Sequence, residues 1–220
     1  TVARDQQEFA AICRELVGQT PDSIEAPGGE SRDSMRARFG EQSLIVTHRK
    51  HLQRARLEAL VLRVLNQAEA PAPRLIAWRE HWLLQQDLGA VRLTEKLDGL
   101  EPIQAQGLLD QSLSTLILCQ RAAHEAGLSQ KLVSLGANRP WFDKLFSRRE
   151  AVASNLNLSA PAIPADALAE QLRLREPRFV KWDARPGNAV VNRRDEICWI
   201  DWEHAGCRNG IDDMVWLLAD

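Results

Sequence analysis

The sequence predicts an α+β protein, with its β-structure early in the chain and a mainly helical later part. Three observations carry this reading. Alternating runs at 34–39 and 43–47, joined by Gly40-Glu-Gln, read as paired antiparallel strands. Apolar residues recur at helical spacing over 5–17, after residue 51 and over 108–126. Near the end, the stretch from Phe179 to Asp201 passes from a Pro/Gly loop into two short apolar runs separated by a polar turn, the pattern of a hairpin.

Composition narrows the class. A chain of 220 residues with 45% apolar content can bury a substantial core. A formal charge of −2 argues against a nucleic-acid partner, which calls for a basic excess. Cys13, Cys119, Cys198 and Cys207 are far apart and form no Cys-x-x-Cys pair, so they read as reduced thiols of a cytoplasmic protein. No apolar run reaches membrane-spanning length and the first residues hold no signal-peptide core, so a soluble protein without a membrane partner is expected.

Taken in order, residues 5–17 predict an amphipathic helix with Phe9, Ile12, Cys13, Leu16 and Val17 on one face and Gly18 as its stop. Pro27-Gly-Gly-Glu-Ser-Arg-Asp precedes the first strand, and a glycine-rich turn there can bring backbone N–H groups close to phosphate oxygens. The second strand runs into His48-Arg49-Lys50-His51, and a helix follows with Leu57, Leu60, Val61, Val64 and Leu65 on its buried side. Glu58 lies at the edge of that stripe, within reach of the strand. Pro71-Ala-Pro breaks the chain before 74–78, and Trp82-Leu-Leu-Gln-Gln-Asp-Leu-Gly follows. The helix at 108–126 presents Leu109, Leu113, Leu116 and Ile117, with His124 in a buried packing role. Residues 138–146 and 165–174 supply further helix, with Pro161 and Pro164 bracketing a connector.

The chemistry concentrates at the end of the chain. Asp183 and Asn188 share the loop Asp-Ala-Arg-Pro-Gly-Asn; the runs 189–191 and 197–200 then fold back so that Asp201 returns beside them. Two carboxylates and an amide oxygen form a hard, oxygen-only ligand set, which suits Mg²⁺.

The order Asp, four residues, Asn, then Asp beyond a hairpin is the catalytic pattern of kinases. Here the sequence resembles the aminoglycoside phosphotransferase/choline kinase family of small-molecule kinases. That family's loop commonly reads His-Gly-Asp-x-x-x-x-Asn and its metal strand Ile-Asp-Trp/Phe-Glu; this chain has Lys181-Trp182-Asp183 and Ile200-Asp201-Trp202-Glu203. The resemblance implies a two-lobed, protein-kinase-like fold: residues 1–88 as the nucleotide-binding lobe, 89–220 as the catalytic lobe, and further helices after Asp220. It implies transfer of the ATP γ-phosphoryl group, with Mg²⁺, to a hydroxyl of a small molecule. Asp183 is then the catalytic base, Asn188 and Asp201 the metal ligands, and Arg185 a cation stabilising the transferred group.

Gly28, Gly29 and Ser31 match the family's phosphate turn, and Gln85, Gln86 and Asp87 the linker whose backbone meets the adenine edge. Glu58 matches the helix carboxylate that positions a strand cation. That cation is His48, Arg49 or Lys50, with Arg49 favoured because it keeps its charge at neutral pH. Asp213 fits the carboxylate that opens the family's next helix and braces the loop, with Asp212 its competitor. Two other readings stand beside this one: a non-catalytic nucleotide-binding module, and a Mg²⁺-dependent phosphohydrolase built on Asp183, Asp201, Asp212 and Asp213. An aminoglycoside acceptor would favour an acidic pocket, for which Glu203, Asp212 and Asp213 are available.

Overall fold

The strand alternation read from the sequence sends the two faces of one sheet to different helices. In the computed structural model, which describes residues 6–26, 33–136, 138–160, 162 and 164–219, five antiparallel strands pair in the order β1-β2-β3-β5-β4. They are β1 (Ser23–Glu25), β2 (Ser34–Phe39), β3 (Gln42–His48), β4 (Leu75–Arg79) and β5 (Trp82–Gln86). Met35, Ala37, Val46 and Leu84 all point to one face, because side chains two apart share a face. There they meet Phe9, Ile12 and Cys13 of α1 (Gln6–Val17), with the Phe9 ring edge-on to Trp82 at 5.1 Å. The odd-numbered Leu83 and Gln85 turn the other way, toward α2 (Leu52–Gln67).

On α2 the buried residues are Ala55, Glu58, Ala59, Val61, Leu62 and Leu65. The stripe is rotated from the one expected: Leu60 is exposed and Leu62 is fully buried. Small Ala55 and Ala59 let the helix approach closely on their side, so the contact face follows them rather than the longest run of leucines.

The later part is mainly helical. It comprises α3 (Leu93–Leu97), α4 (Pro102–Glu125), α5 (Arg139–Asn155), α6 (Ala165–Gln171) and α7 (Ile211–Ala219). Two small antiparallel sheets sit among them: β6 (Arg178–Val180) with β9 (Gly206–Arg208), and β7 (Ala189–Val191) with β8 (Ile197–Trp199). One apolar cluster runs from α2 through α4 to Phe179, Trp199, Trp202 and Leu217, so the core is continuous between the two parts. The long α4 buries Ser112, Leu116, Cys119, Ala122 and Ala123, while Ile117 is exposed. His124 is also exposed, which corrects its expected buried packing role: its ring lies off the Leu116–Cys119–Ala123 side. Among the described residues no helix is long and apolar enough to cross a membrane.

One ion pair ties β2 to the segment that leaves β5. Arg36 Nε lies 2.5 Å from Asp87 Oδ2 and its Nη2 reaches Oδ1 at 3.1 Å and the Gly89 carbonyl at 3.2 Å. Ser43 Oγ and the Gly89 amide donate to the same carboxylate, at 2.7 and 3.0 Å. Burial alone would raise the Asp87 carboxyl, but these hydrogen bonds, Arg36 foremost, hold it below its ordinary 3.8. A carboxyl depressed in the fold stabilises it above the unfolded pKa and loses that contribution as pH falls through the folded one. Asp87→Asn is therefore expected to cost roughly 3 kcal/mol at neutral pH and to flatten the loss of stability on acidification below about pH 4. Urea unfolding of both proteins across that range checks this; equal stability at neutral pH would contradict it.

Candidate active site

The hairpin closes the site. Ala189 pairs with Trp199, and the Ile200 amide donates to the Asn188 carbonyl at 3.0 Å, so the residue before Asp201 is bonded to Asn188. Pro186–Asn188 forms a single 3₁₀ turn whose Asn188 amide returns to the Arg185 carbonyl at 2.8 Å. That turn aims the Asn188 side chain inward. Its Nδ2 donates to the Asp183 carbonyl at 2.9 Å and to Asp183 Oδ2 at 3.0 Å. Asp201, from beyond the hairpin, is thus held beside Asp183 and Asn188 of the loop.

The backbone is strained where the chemistry would lie. Trp182, Asp183 and Asp201 have φ of 55°, 63° and 61°, the left-handed region that side-chain-bearing residues rarely adopt. Two buried charged groups hold these conformations. Asp213, in the first turn of α7, accepts from the amides of Lys181 at 2.7 Å and Trp182 at 2.8 Å, and Gln120 Nε2 of α4 adds a third bond at 2.9 Å. Lys181 Nζ donates to the Asp201 carbonyl at 2.9 Å, lies 3.4 Å from the Asp183 carbonyl, and stands over the Trp202 ring. One ammonium therefore spans both catalytic-type aspartates. Lys181 is fully buried, and desolvation lowers its pKa against the pull of Asp201, Asp213 and Asp183. Burial likewise raises the pKa of Asp213, despite its three donors.

Across from this loop stands Arg49, just past the end of β3. Its Nε donates to Glu58 Oε2 at 2.7 Å, its Nη2 to Asp201 Oδ1 at 2.7 Å, and its Nη1 lies 3.1 Å from Glu203 Oε1. Burial opposes its charge, but Glu58, Asp201 and Glu203 more than compensate, so its pKa stays above the ordinary value. Glu58 is itself buried and takes a second bond from Gln85 Nε2 at 3.2 Å. Burial would raise Asp201, and Arg49, then Lys181 and His204, override it and hold the carboxylate low. The neighbouring cations go elsewhere: His48 is buried and stacked on His81, and Lys50 is exposed.

Arg185 meets Asp183 with two bonds, Nε to Oδ1 at 2.6 Å and Nη2 to Oδ2 at 3.1 Å. Gln85 and Gln86 belong to β5, where the Gln86 amide donates to the Arg74 carbonyl, and Asp87 carries the Arg36 pair. Asp212 pairs with Arg208 at 2.6 Å. Gly28, Gly29 and Ser31 lie outside the described residues.

The sequence matches the phosphotransferase enzyme family over residues 23–220. The chain belongs to that family. No curated protein matches it in sequence. Among solved structures, this phosphotransferase resembles spectinomycin phosphotransferase in complex with ADP and spectinomycin, at 15% identity and a TM-score of 0.66, covering 97% of this chain and 73% of that one. It also resembles choline kinase from Streptococcus pneumoniae, at 14% identity and a TM-score of 0.62, covering 96% and 73%. A third is an aminoglycoside phosphotransferase from Alicyclobacillus acidocaldarius, at 11% identity and a TM-score of 0.58, covering 94% and 70%. At such identities the likeness is one of fold, and the fold of this phosphotransferase is the two-lobed, kinase-like one.

Lys181 and Trp182 carry more of the site than their sequence positions announce. The cue for Trp182 was available: the family's loop has glycine there, and glycine before the aspartate marks a positive φ. Lys181 gave no such cue, since its role depends on a carbonyl twenty residues away. Removing the Asp213 carboxylate leaves the Lys181 and Trp182 amides without their acceptor, while Gln120 keeps its bond to the Gly210 carbonyl. Asp213→Ala should cost roughly 3 kcal/mol of stability, and hydrogen exchange at the Lys181 and Trp182 amides should accelerate. Unchanged exchange there would exclude Asp213 as the brace of this loop.

Proposed function

We propose that this phosphotransferase moves the γ-phosphoryl group of ATP, with Mg²⁺, to a hydroxyl group of a small molecule in the cytoplasm. The observation that carries the reading is the convergence of Asp183, Asn188 and Asp201 on a braced loop, opposite an arginine bound to a helix glutamate. Residues 1–88 would form the nucleotide-binding lobe and 89–220 the catalytic lobe.

The donor set fits Mg²⁺. Asp201 spends one carboxylate oxygen on Arg49, and Asn188 spends its amide nitrogen on Asp183, which leaves an oxygen on each as a hard ligand. When bound, Mg²⁺ neutralises charge on the phosphates. The chain's own residues do the rest. Asp183, oriented by Asn188, would take the proton of the acceptor hydroxyl as the hydroxyl oxygen bonds to the γ-phosphorus and the bond to the β–γ bridging oxygen breaks, releasing ADP. Arg49, oriented by Glu58, meets the phosphates from the β3 side, and Arg185 offsets charge on the group in transit. Gly28, Gly29 and Ser31 would approach the phosphates through their backbone; at Gln85, Gln86 and Asp87 the base would meet backbone groups other than the Gln86 amide, which is bonded to the Arg74 carbonyl.

The rival chemistries fare worse on particular residues. A carboxylate-cluster hydrolase needs Asp212 and Asp213, yet Asp212 is paired with Arg208 and Asp213 is consumed by backbone amides. A non-catalytic module is favoured only by the departures at Lys181 and Trp182, and Lys181 holds the loop rather than loosening it.

Asp183→Ala should lower turnover by ~10²–10⁴-fold while Mg²⁺-dependent ATP affinity persists, read by product formation and calorimetry. Loss of ATP binding with turnover spared would remove Asp183 from the role of base. Asp201→Ala should instead weaken Mg²⁺-dependent ATP binding itself. A wild-type protein that binds no ATP would overturn the kinase reading.

A further inference from the structure

Beside the catalytic loop lies a cavity of about 310 Å³ lined by Trp182, Arg208, Asp212, Val215, Trp216 and Ala219. Trp182 is joined directly to Asp183, so the cavity wall begins one residue from the proposed base. Its indole meets that of Trp216 edge to face, with centroids 5.9 Å apart at 75°. This pair therefore offers broad apolar surface set at an angle, the shape that grips a flat or cyclic molecule.

Charge decides what kind of molecule. The two charged lining residues cancel, with Arg208 Nε 2.6 Å from Asp212 Oδ2. Arg208 is also fixed in place. Its Nη1 donates to the Leu135 carbonyl at 3.1 Å, its guanidinium lies over the rings of Trp141 at 4.5 Å and Trp182 at 5.4 Å, and a side chain at Gly136 would collide with it. A cation entering the cavity would find Trp182 already occupied by a guanidinium and Asp212 already neutralised. Among the described residues, the carboxylates nearest in the chain already have partners: Glu203 meets Arg49 and Arg54, Asp213 the loop amides, and Asp183 the Arg185 guanidinium.

We propose that this cavity receives the acceptor, and that the acceptor is a neutral alcohol with an apolar ring or chain, not a polycationic sugar. The assignment rests on the phosphotransferase reading given above. Trp182 is the residue that sets this preference; the resembling loop has glycine there, which gives the acceptor no wall.

The test uses 2-phenylethanol as the neutral probe, gentamicin as the polycation and choline as the small cation, each titrated against the full chain by tryptophan fluorescence and calorimetry. ADP with Mg²⁺ is titrated separately. The wild type should bind 2-phenylethanol more tightly than either cation. Trp182→Gly and Trp216→Leu should each weaken that binding by about tenfold, with ADP affinity retained. Trp182→Gly places at a φ of +55° the residue that suits it best, so this variant keeps the fold, as thermal melting would verify. Preference for gentamicin or choline, or 2-phenylethanol binding indifferent to both substitutions, would overturn the proposal. Loss of ADP binding in the wild type with Trp182-dependent binding of the probe intact would instead overturn the kinase reading and keep the cavity's chemistry.

Discussion

The Arg49 guanidinium is the centre of the ion pairs that join the two parts of the molecule, with Arg54 adding an outer contact to Glu203. It sits at the end of a strand, and its three partners come from α2 and from the segment following the β7–β8 hairpin. Removing a guanidinium from water costs several kcal/mol, and each carboxylate would be unstable there alone. Together they are mutually necessary. Among the described residues, the other hydrogen-bond partner of Glu58 is the neutral Gln85. The continuous apolar core brings the lobes together without direction, and this knot adds the direction, fixing which strand end faces which loop.

Local strain in the loop that carries Asp183 is tolerated because the supports are stronger than the preference they oppose. A left-handed residue costs of order 1–3 kcal/mol, and three occur within one small region. Against this stand the two amide bonds to Asp213 and the ammonium of Lys181, which are charge-assisted and anchored on fully buried side chains. Their partners belong to α4, α7 and the far end of the hairpin, so the loop's shape is imposed by the later, mainly helical part of the chain rather than by its own sequence. A loop supported in this way holds the backbone that carries its carboxylates in one conformation.

How much of this the sequence disclosed follows from the range of the forces involved. The alternation of β2 and β3, the face of α1, and the hairpin that returns Asp201 to Asn188 are local patterns with short-range causes, and they were readable. Glu58 was readable because its stripe position put it next to a basic strand end, and the charge argument for Arg49 led to the cation that Glu58 meets. Other features were not. Three-residue strands such as β1, β6 and β9 exist because distant partners complete them. The rotation of the α2 face toward Leu62, the exposure of His124, and the span of Lys181 across two carbonyls depend on neighbours from elsewhere in the chain. Periodicity does not encode them.

The two-bond pairing of Arg185 with Asp183 has one further consequence. Both oxygens of the carboxylate face the same guanidinium, which is itself half exposed, so the pair is held by about 1 kcal/mol or less. In the role proposed for Asp183, an arriving hydroxyl would compete with that guanidinium for the carboxylate before surrendering its proton. The arginine so released remains tethered two residues away, in the space through which the phosphoryl group passes. A single side-chain swing would then uncover the base and deliver positive charge to the migrating group in the same motion, making arrival of the acceptor the trigger for both.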